Sequence, residues 1–173
     1  MALLVGVSEG YQNGARMTTD GPMEAMKSYC TTGNLRPGHG SMPQHTAAPF
    51  ELIIAGQANN YRPKTPVEIL LRAKPGKTFK GFFITADGSS SAGAVSGTWN
   101  MATPASNITK FCGITGMTHT TNNTKTEVKV MWTPPEGYHY GTIQFKATVV
   151  VNYNTFWTGV LSRPLSPPAG GKV

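Results

Sequence analysis

Apolar and polar residues alternate with period two along several stretches of the chain, the pattern of half-buried β-strands. In residues 50–54, Phe50, Leu52 and Ile54 share one face. In 67–73, Val67, Ile69, Leu71 and Ala73 point one way, and Glu68 and Arg72 the other. Residues 126–132 place Val128, Val130 and Trp132 opposite Glu127 and Lys129. The cleanest run is 142–151, where Ile143, Phe145, Ala147, Val149 and Val151 alternate with Thr142, Gln144, Lys146 and Thr148. Residues 79–86 are apolar on both faces, which predicts a central strand, and 155–161 predicts a last one. Shorter candidates lie at 97–101 and 109–112. Turn signals separate the runs: Arg62-Pro63, Pro75-Gly76, Asp87-Gly88 and the Pro134-Pro135-Glu136-Gly137 stretch. About eight strands with no helical period predict an all-β, two-sheet antiparallel sandwich. Trp99, Trp132 and Trp157 are its expected core anchors.

Residues 1–49 carry no sustained periodicity and are read as an extended N-terminal arm laid on the domain. The expected organisation is an arm or leader remnant over 1–27, a β-sandwich domain over 28–162, and a Pro/Gly-rich tail over 163–173. That tail is expected to leave the fold as a linker or frayed end.

Composition narrows the class. The chain has 173 residues, enough for one domain. Only 13% are charged, and Gly (20) and Pro (13) are plentiful, which argues against a helical bundle. Seven Phe, six Tyr and three Trp argue against a disordered chain. No apolar run reaches the roughly 18 residues of a membrane-spanning helix. The start, Met1 to Val7, fits either a clipped leader or a mature N-terminus.

Two cysteines, Cys30 and Cys112, are too few for an all-thiolate zinc site and lack the Cys-x-x-Cys spacing of a redox pair. They fit one disulfide in a secreted chain or two unrelated buried thiols. Asn107-Ile-Thr109 and Asn122-Asn-Thr124 are sequons for N-glycosylation.

Several ordered segments resemble the reeler domain, the module at the N-terminus of reelin and F-spondin that also occurs as free-standing invertebrate defence proteins. They are Arg36-Pro-Gly-His-Gly40 after Cys30, Pro49-Phe-Glu-Leu52, Tyr61-Arg-Pro-Lys-Thr-Pro-Val67 and Phe79-Lys-Gly-Phe-Phe-Ile84. Phe111-Cys-Gly113, Thr118-His-Thr120, the run from Gly141 to Val150 and Thr155-Phe-Trp157 follow in order. The resemblance covers residues 28–160. It implies an immunoglobulin-like sandwich, a secreted extracellular location, and a Cys30–Cys112 disulfide. The chain looks like the free-standing form. Reeler-containing ferric reductases carry added haem domains, so no redox role is implied.

No catalytic constellation emerges. His39 and His45 sit in a Gly/Pro loop without a recognised ligand spacing, and His119 and His139 stand apart, so no metal or cofactor is expected. Gly-x-Ser-x-Gly, P-loop and Rossmann patterns are absent, and the eight acids are scattered. An enzyme is not expected.

The net charge is +7, and it concentrates. Residues 62–80 hold Arg62, Lys64, Arg72, Lys74, Lys77 and Lys80 against Glu68 alone. Arg72 and Lys80 are expected on outward faces of adjacent strands, with Lys74 and Lys77 on the turn between them. That predicts a continuous basic ridge for sulfate, phosphate or carboxylate groups along a polymer. Nucleic acid is a poor fit, because aromatics do not interleave with the charges. The expected function is a secreted, non-enzymatic recognition protein of innate defence that binds anionic polysaccharide or lipopolysaccharide, or β-glucan. The alternative is a matrix or structural protein that binds glycosaminoglycan or itself.

Overall fold

A computed structural model describes residues 36–37, 41–56, 59–89, 93–95, 97–102, 106–111, 114–136 and 140–167. The described strands are β1 (Phe50–Ile54), β2 (Val67–Ala73), β3 (Gly81–Gly88), β4 (Gly93–Ala94), β5 (Thr98–Met101), β6 (Ser106–Phe111), β7 (Ile114–His119), β8 (Glu127–Thr133), β9 (Ile143–Asn152) and β10 (Thr155–Leu161). They form two antiparallel sheets. The four-stranded sheet runs β1-β2-β8-β5, and the six-stranded sheet runs β10-β9-β3-β7-β6, with β4 paired to β3. The chain is an all-β sandwich, and every alternating run of the sequence is one of these strands.

The inward positions of both sheets meet in one core. Ile69, Leu71, Val130 and Trp132 from one sheet, and Ile84, Phe145, Ala147 and Val149 from the other, are fully buried. Two aromatic groups bridge the layers. Trp132 meets Phe145 edge-on at 5.4 Å, and Trp99 meets Phe145 at 6.2 Å. Phe79 contacts both Phe50 (5.8 Å) and Phe82 (6.3 Å) edge-on, the geometry that aromatic quadrupoles favour. Two of the three tryptophans are core anchors. Trp157 is only half-buried and donates its indole N–H to Thr46 O at 3.1 Å.

Two elements lie outside the alternating pattern. β7 has weak alternation because Gly116 interrupts it. That glycine is required: a Cβ there would overlap Ile84 O and stand 2.9 Å from the Phe83 ring. β4 is only two residues long.

The chain after β10 does not leave the fold where expected. Leu165 is buried at 1% exposure, and its backbone exchanges two hydrogen bonds with Ile143 at 2.8 and 2.7 Å. Ser166 pairs with Asn59 and Tyr61 in the connection between β1 and β2. Residues 162–167 therefore tie β9 of one sheet to the β1–β2 connection of the other. Their prolines suit this edge position, because each Pro lacks an N–H that a ladder would need. Residues 1–35 and 168–173, and with them most of the expected arm and the end of the tail, lie outside the described residues.

Leu165→Ala removes a buried side chain from the seam, which costs about 3 kcal/mol. Its melting temperature should fall by about 6–12 °C in a thermal scan. A frayed tail would leave it unchanged.

Candidate functional site

The six cations of residues 62–80 do not form one ridge. β2 and β3 are consecutive in sequence, but β2 belongs to the four-stranded sheet and β3 to the six-stranded sheet. The segment between them crosses from one layer to the other at an end of the sandwich. Arg62 and Lys64 precede β2 and Lys74 follows it, so the seven-residue strand separates them. At about 3.3 Å per residue that is about 20 Å or more.

Lys64 and Arg72 are also compensated locally. Lys64 Nζ pairs with Glu136. A hydrogen bond from Lys64, reinforced by its charge, holds the Glu136 carboxyl below the usual carboxylate range. Arg72 Nε donates to Glu127 Oε2 at 3.0 Å across the β2–β8 pair. Lys129 and Glu68 pair on the same outer face at 3.7 Å. These are exposed pairs of little energetic weight, but they leave Arg72 and Lys129 without uncompensated positive charge. Arg62 is exposed at the far end.

Lys74, Lys77 and Lys80 remain together. All three are exposed on the crossing segment. Among the described residues none of them forms an ion pair. The same end of the sandwich receives the start of β1, the loop after β7 and the β9–β10 turn. Residues 41–50, 74–80, 120–126 and 152–155, which build this end, contain four lysines and no Asp or Glu. Glu51 and Glu127 lie just inside this end, on either side of Arg72, and neither forms an ion pair with these three lysines.

The crossing is held in place by five features. Lys74 N–H donates to Pro49 O (2.9 Å), and Lys77 N–H closes a turn on Lys74 O (3.0 Å). Gly76 takes φ +73°, a left-handed value that suits glycine. Phe79 is fully buried, and its backbone exchanges hydrogen bonds with Lys125. Lys80 N–H donates to Val150 O (2.8 Å). The exposed lysines therefore ride on a fixed backbone.

Lys125 was not singled out by its sequence, since a lysine before a strand is normally solvated. Here it is buried at 7% exposure. Its ammonium donates to three carbonyls: Thr121 O (2.7 Å), Asn123 O (2.8 Å) and Lys80 O (2.8 Å). All three donors of the ammonium are thereby used. Burial pushes its pKa below the usual lysine value. The fourth lysine of this end thus clamps the loop after β7 onto the crossing and is not offered to a ligand.

A second lock lies just behind. Phe82 N–H donates to His119 Nδ1 at 3.2 Å, and Thr118 Oγ1 donates to Phe82 O at 2.9 Å. Side chains here do the work of a backbone ladder. Gly81 leaves room for the imidazole, because a Cβ would stand 2.9 Å from His119 Cε1. His119 is therefore structural. His45 is exposed, while His39 and His139 lie outside the described residues. Among the described residues no three His, Cys, Asp or Glu side chains come together to hold a metal.

Asn122 is exposed in the clamped loop. Asn107 lies on β6 opposite Thr118 of β7. Cys30 and Cys112 lie outside the described residues. Among the described residues no helix is long and apolar enough to cross a membrane.

Comparison with known proteins agrees with this architecture. The model of the Reeler domain family matches residues 28–172. The crystal structure of the human F-spondin reeler domain superposes with a TM-score of 0.61 at 20% identity, covering 73% of this chain and 94% of that one. "Putative defense protein 2" of Antheraea mylitta is 29% identical, over 86% of this chain and 92% of its own length. "Putative ferric-chelate reductase 1" of Danio rerio is 26% identical over 91% of this chain. The chain spans only 25% of that reductase.

Lys125→Met keeps the aliphatic stem and strips three carbonyls of their donor. Unfolding should become easier by about 2 kcal/mol, part of the loss being recovered by water. Amide exchange should rise in residues 120–125 and 77–81. An ordinary solvated lysine would show neither change.

Proposed function

We propose that this chain, which belongs to the Reeler domain family, is a secreted, non-enzymatic recognition protein of innate defence that binds anionic microbial surface polymers through Lys74, Lys77 and Lys80. The observation that carries this reading is the group of three exposed lysines without an ion pair at this end of the sandwich. Three exposed lysines share a backbone-locked crossing, and no described carboxylate pairs with them. A lysine is a compact point charge with three donors, and it meets a phosphate, sulfate or carboxylate without demanding a planar partner. Three such charges on one segment suit a polymer that repeats its anion.

The relatives named for defence support the role, because this chain covers nearly the whole length of one of them. The name of the reductase relative refers to a protein four times as long, of which the shared part is one segment. Lipopolysaccharide and acidic glycans are the ligands that fit the charge. β-Glucan carries none and would have to be held by other contacts. Arg62, Lys64 and Arg72 contribute little on this reading, since two of them already face carboxylates and the third stands at the opposite end.

Glycosaminoglycan binding, as in a matrix protein, uses the same charges. Parallel titrations with heparin and lipopolysaccharide separate the two. Tighter binding of lipopolysaccharide supports the defence role, and tighter binding of heparin supports the matrix role.

The test is titration of lipopolysaccharide at low and high salt against the wild type and the Lys74→Glu, Lys77→Glu, Lys80→Glu triple variant. Wild-type affinity should fall as salt rises, because exposed charges are screened. The triple variant should bind about ten-fold or more weakly at low salt, a loss of about 1.4 kcal/mol. Unchanged binding by the variant would refute the site.

A further inference from the structure

The lysines are not the only exposed feature at this end. Met42 is 61% exposed and Tyr153 is 40% exposed, two of the four large apolar side chains most open to solvent among the described residues. The other two stand elsewhere: Leu161 closes β10 at the far end and Met101 closes β5 on the opposite edge.

Met42 and Tyr153 belong together. Ser41 Oγ donates to Asn154 Oδ1 at 2.9 Å and approaches Tyr153 O at 3.5 Å, so the segment carrying Met42 is fastened to the β9–β10 turn. Arg36 Nη1 reaches Met42 Sδ at 3.6 Å and adds a cation. The backing is firm. Asn152 Oδ1 accepts the Asn154 N–H (3.0 Å), and Gln44 N–H donates to Phe156 O (2.8 Å). Exposure of these apolar groups is therefore built into the backbone.

We propose that this end of the sandwich docks on an anionic lipid surface, with Met42 and Tyr153 entering the interfacial layer and Lys74, Lys77 and Lys80 resting over the lipid phosphates. This rests on the cationic end described above and specifies its partner. The side chains come from three separate connections: the segment before β1, the crossing before β3, and the β9–β10 turn. Features spread over one end suit a partner that is itself a surface. Tyrosine favours the boundary between water and acyl chains, because its ring is apolar and its hydroxyl stays wet. Methionine is flexible and apolar and fills irregular gaps between chains. Cations near an anionic bilayer add attraction that falls off within a Debye length. A soluble polyanion would use the lysines and gain nothing from Met42 or Tyr153.

The experiment is co-sedimentation of the full chain with phosphatidylcholine vesicles, with and without phosphatidylglycerol, beside a titration with dextran sulfate as a soluble polyanion. The Met42→Ser, Tyr153→Ser double variant touches only exposed positions, and an unchanged thermal melt verifies its fold. Wild type should sediment with the phosphatidylglycerol vesicles and not with phosphatidylcholine alone. The double variant should bind those vesicles about ten-fold more weakly and bind dextran sulfate as wild type does. Vesicle binding unchanged in the double variant overturns the proposal, as does wild type that binds dextran sulfate but no vesicle. The Lys74, Lys77, Lys80 triple variant reports on the broader reading. If it retains full dextran sulfate binding, the cationic site itself fails.

Discussion

Phe79 is where the chain changes sheets, and much of the molecule follows from how that crossing is held. The residue is fully buried between Phe50 of one layer and Phe82 of the other. Its backbone pairs with Lys125, whose ammonium in turn holds Lys80 O and the loop after β7. An aromatic in the core and a lysine under the surface thus fasten one short segment from both sides. Held in this way, the segment carries the chain from β2 in one sheet to β3 in the other. Lys74, Lys77 and Lys80 are left at the end of the sandwich, away from the charges that precede β2.

Charge is scarce in this chain, and its distribution has a structural logic. On the outer face of the four-stranded sheet Arg72 stands beside Glu127 and Lys129 beside Glu68, with Glu51 of β1 opposite Arg72 as a further acid. On the six-stranded sheet Lys146 meets Asp87 at 2.6 Å. Cations on the strand faces thereby meet acids, which keeps the outer rows compatible with cross-strand packing. The uncompensated positive charge falls to a connection. Connections at the end of a rigid sandwich are where binding residues can vary without disturbing the core.

Much of the fold was legible because period-two alternation is a local signal. The runs around Leu52, Ile69, Val130, Phe145 and Phe156 each reveal a strand without knowledge of its neighbours. β7 was not legible, since Gly116 and its threonines break the alternation, and the need for glycine arises from Ile84 O on another strand. The tail misled for a similar reason. Its prolines read as an exit, yet Leu165 is drawn back by Ile143, which lies 22 positions earlier in the chain. The candidate site was half legible. Sequence proximity grouped Lys74, Lys77 and Lys80, which share the crossing segment. It also added Arg62, Lys64 and Arg72, because a linear count cannot see that successive strands enter different sheets. Lys125 carries no local mark of burial, and its role depends on three carbonyls supplied by folding.

The most direct test of this division of charge compares two variants of equal net charge. One carries Arg62→Glu and Lys64→Glu, the other Lys77→Glu and Lys80→Glu. Each lowers the formal charge by four, from +7 to +3. Their affinities for dextran sulfate are measured at physiological ionic strength, where exposed charges more than about 8 Å apart are largely screened. The account predicts a loss of about ten-fold for the Lys77/Lys80 variant and less than about two-fold for the Arg62/Lys64 variant. Equal losses would show that binding follows net charge alone and would contradict it.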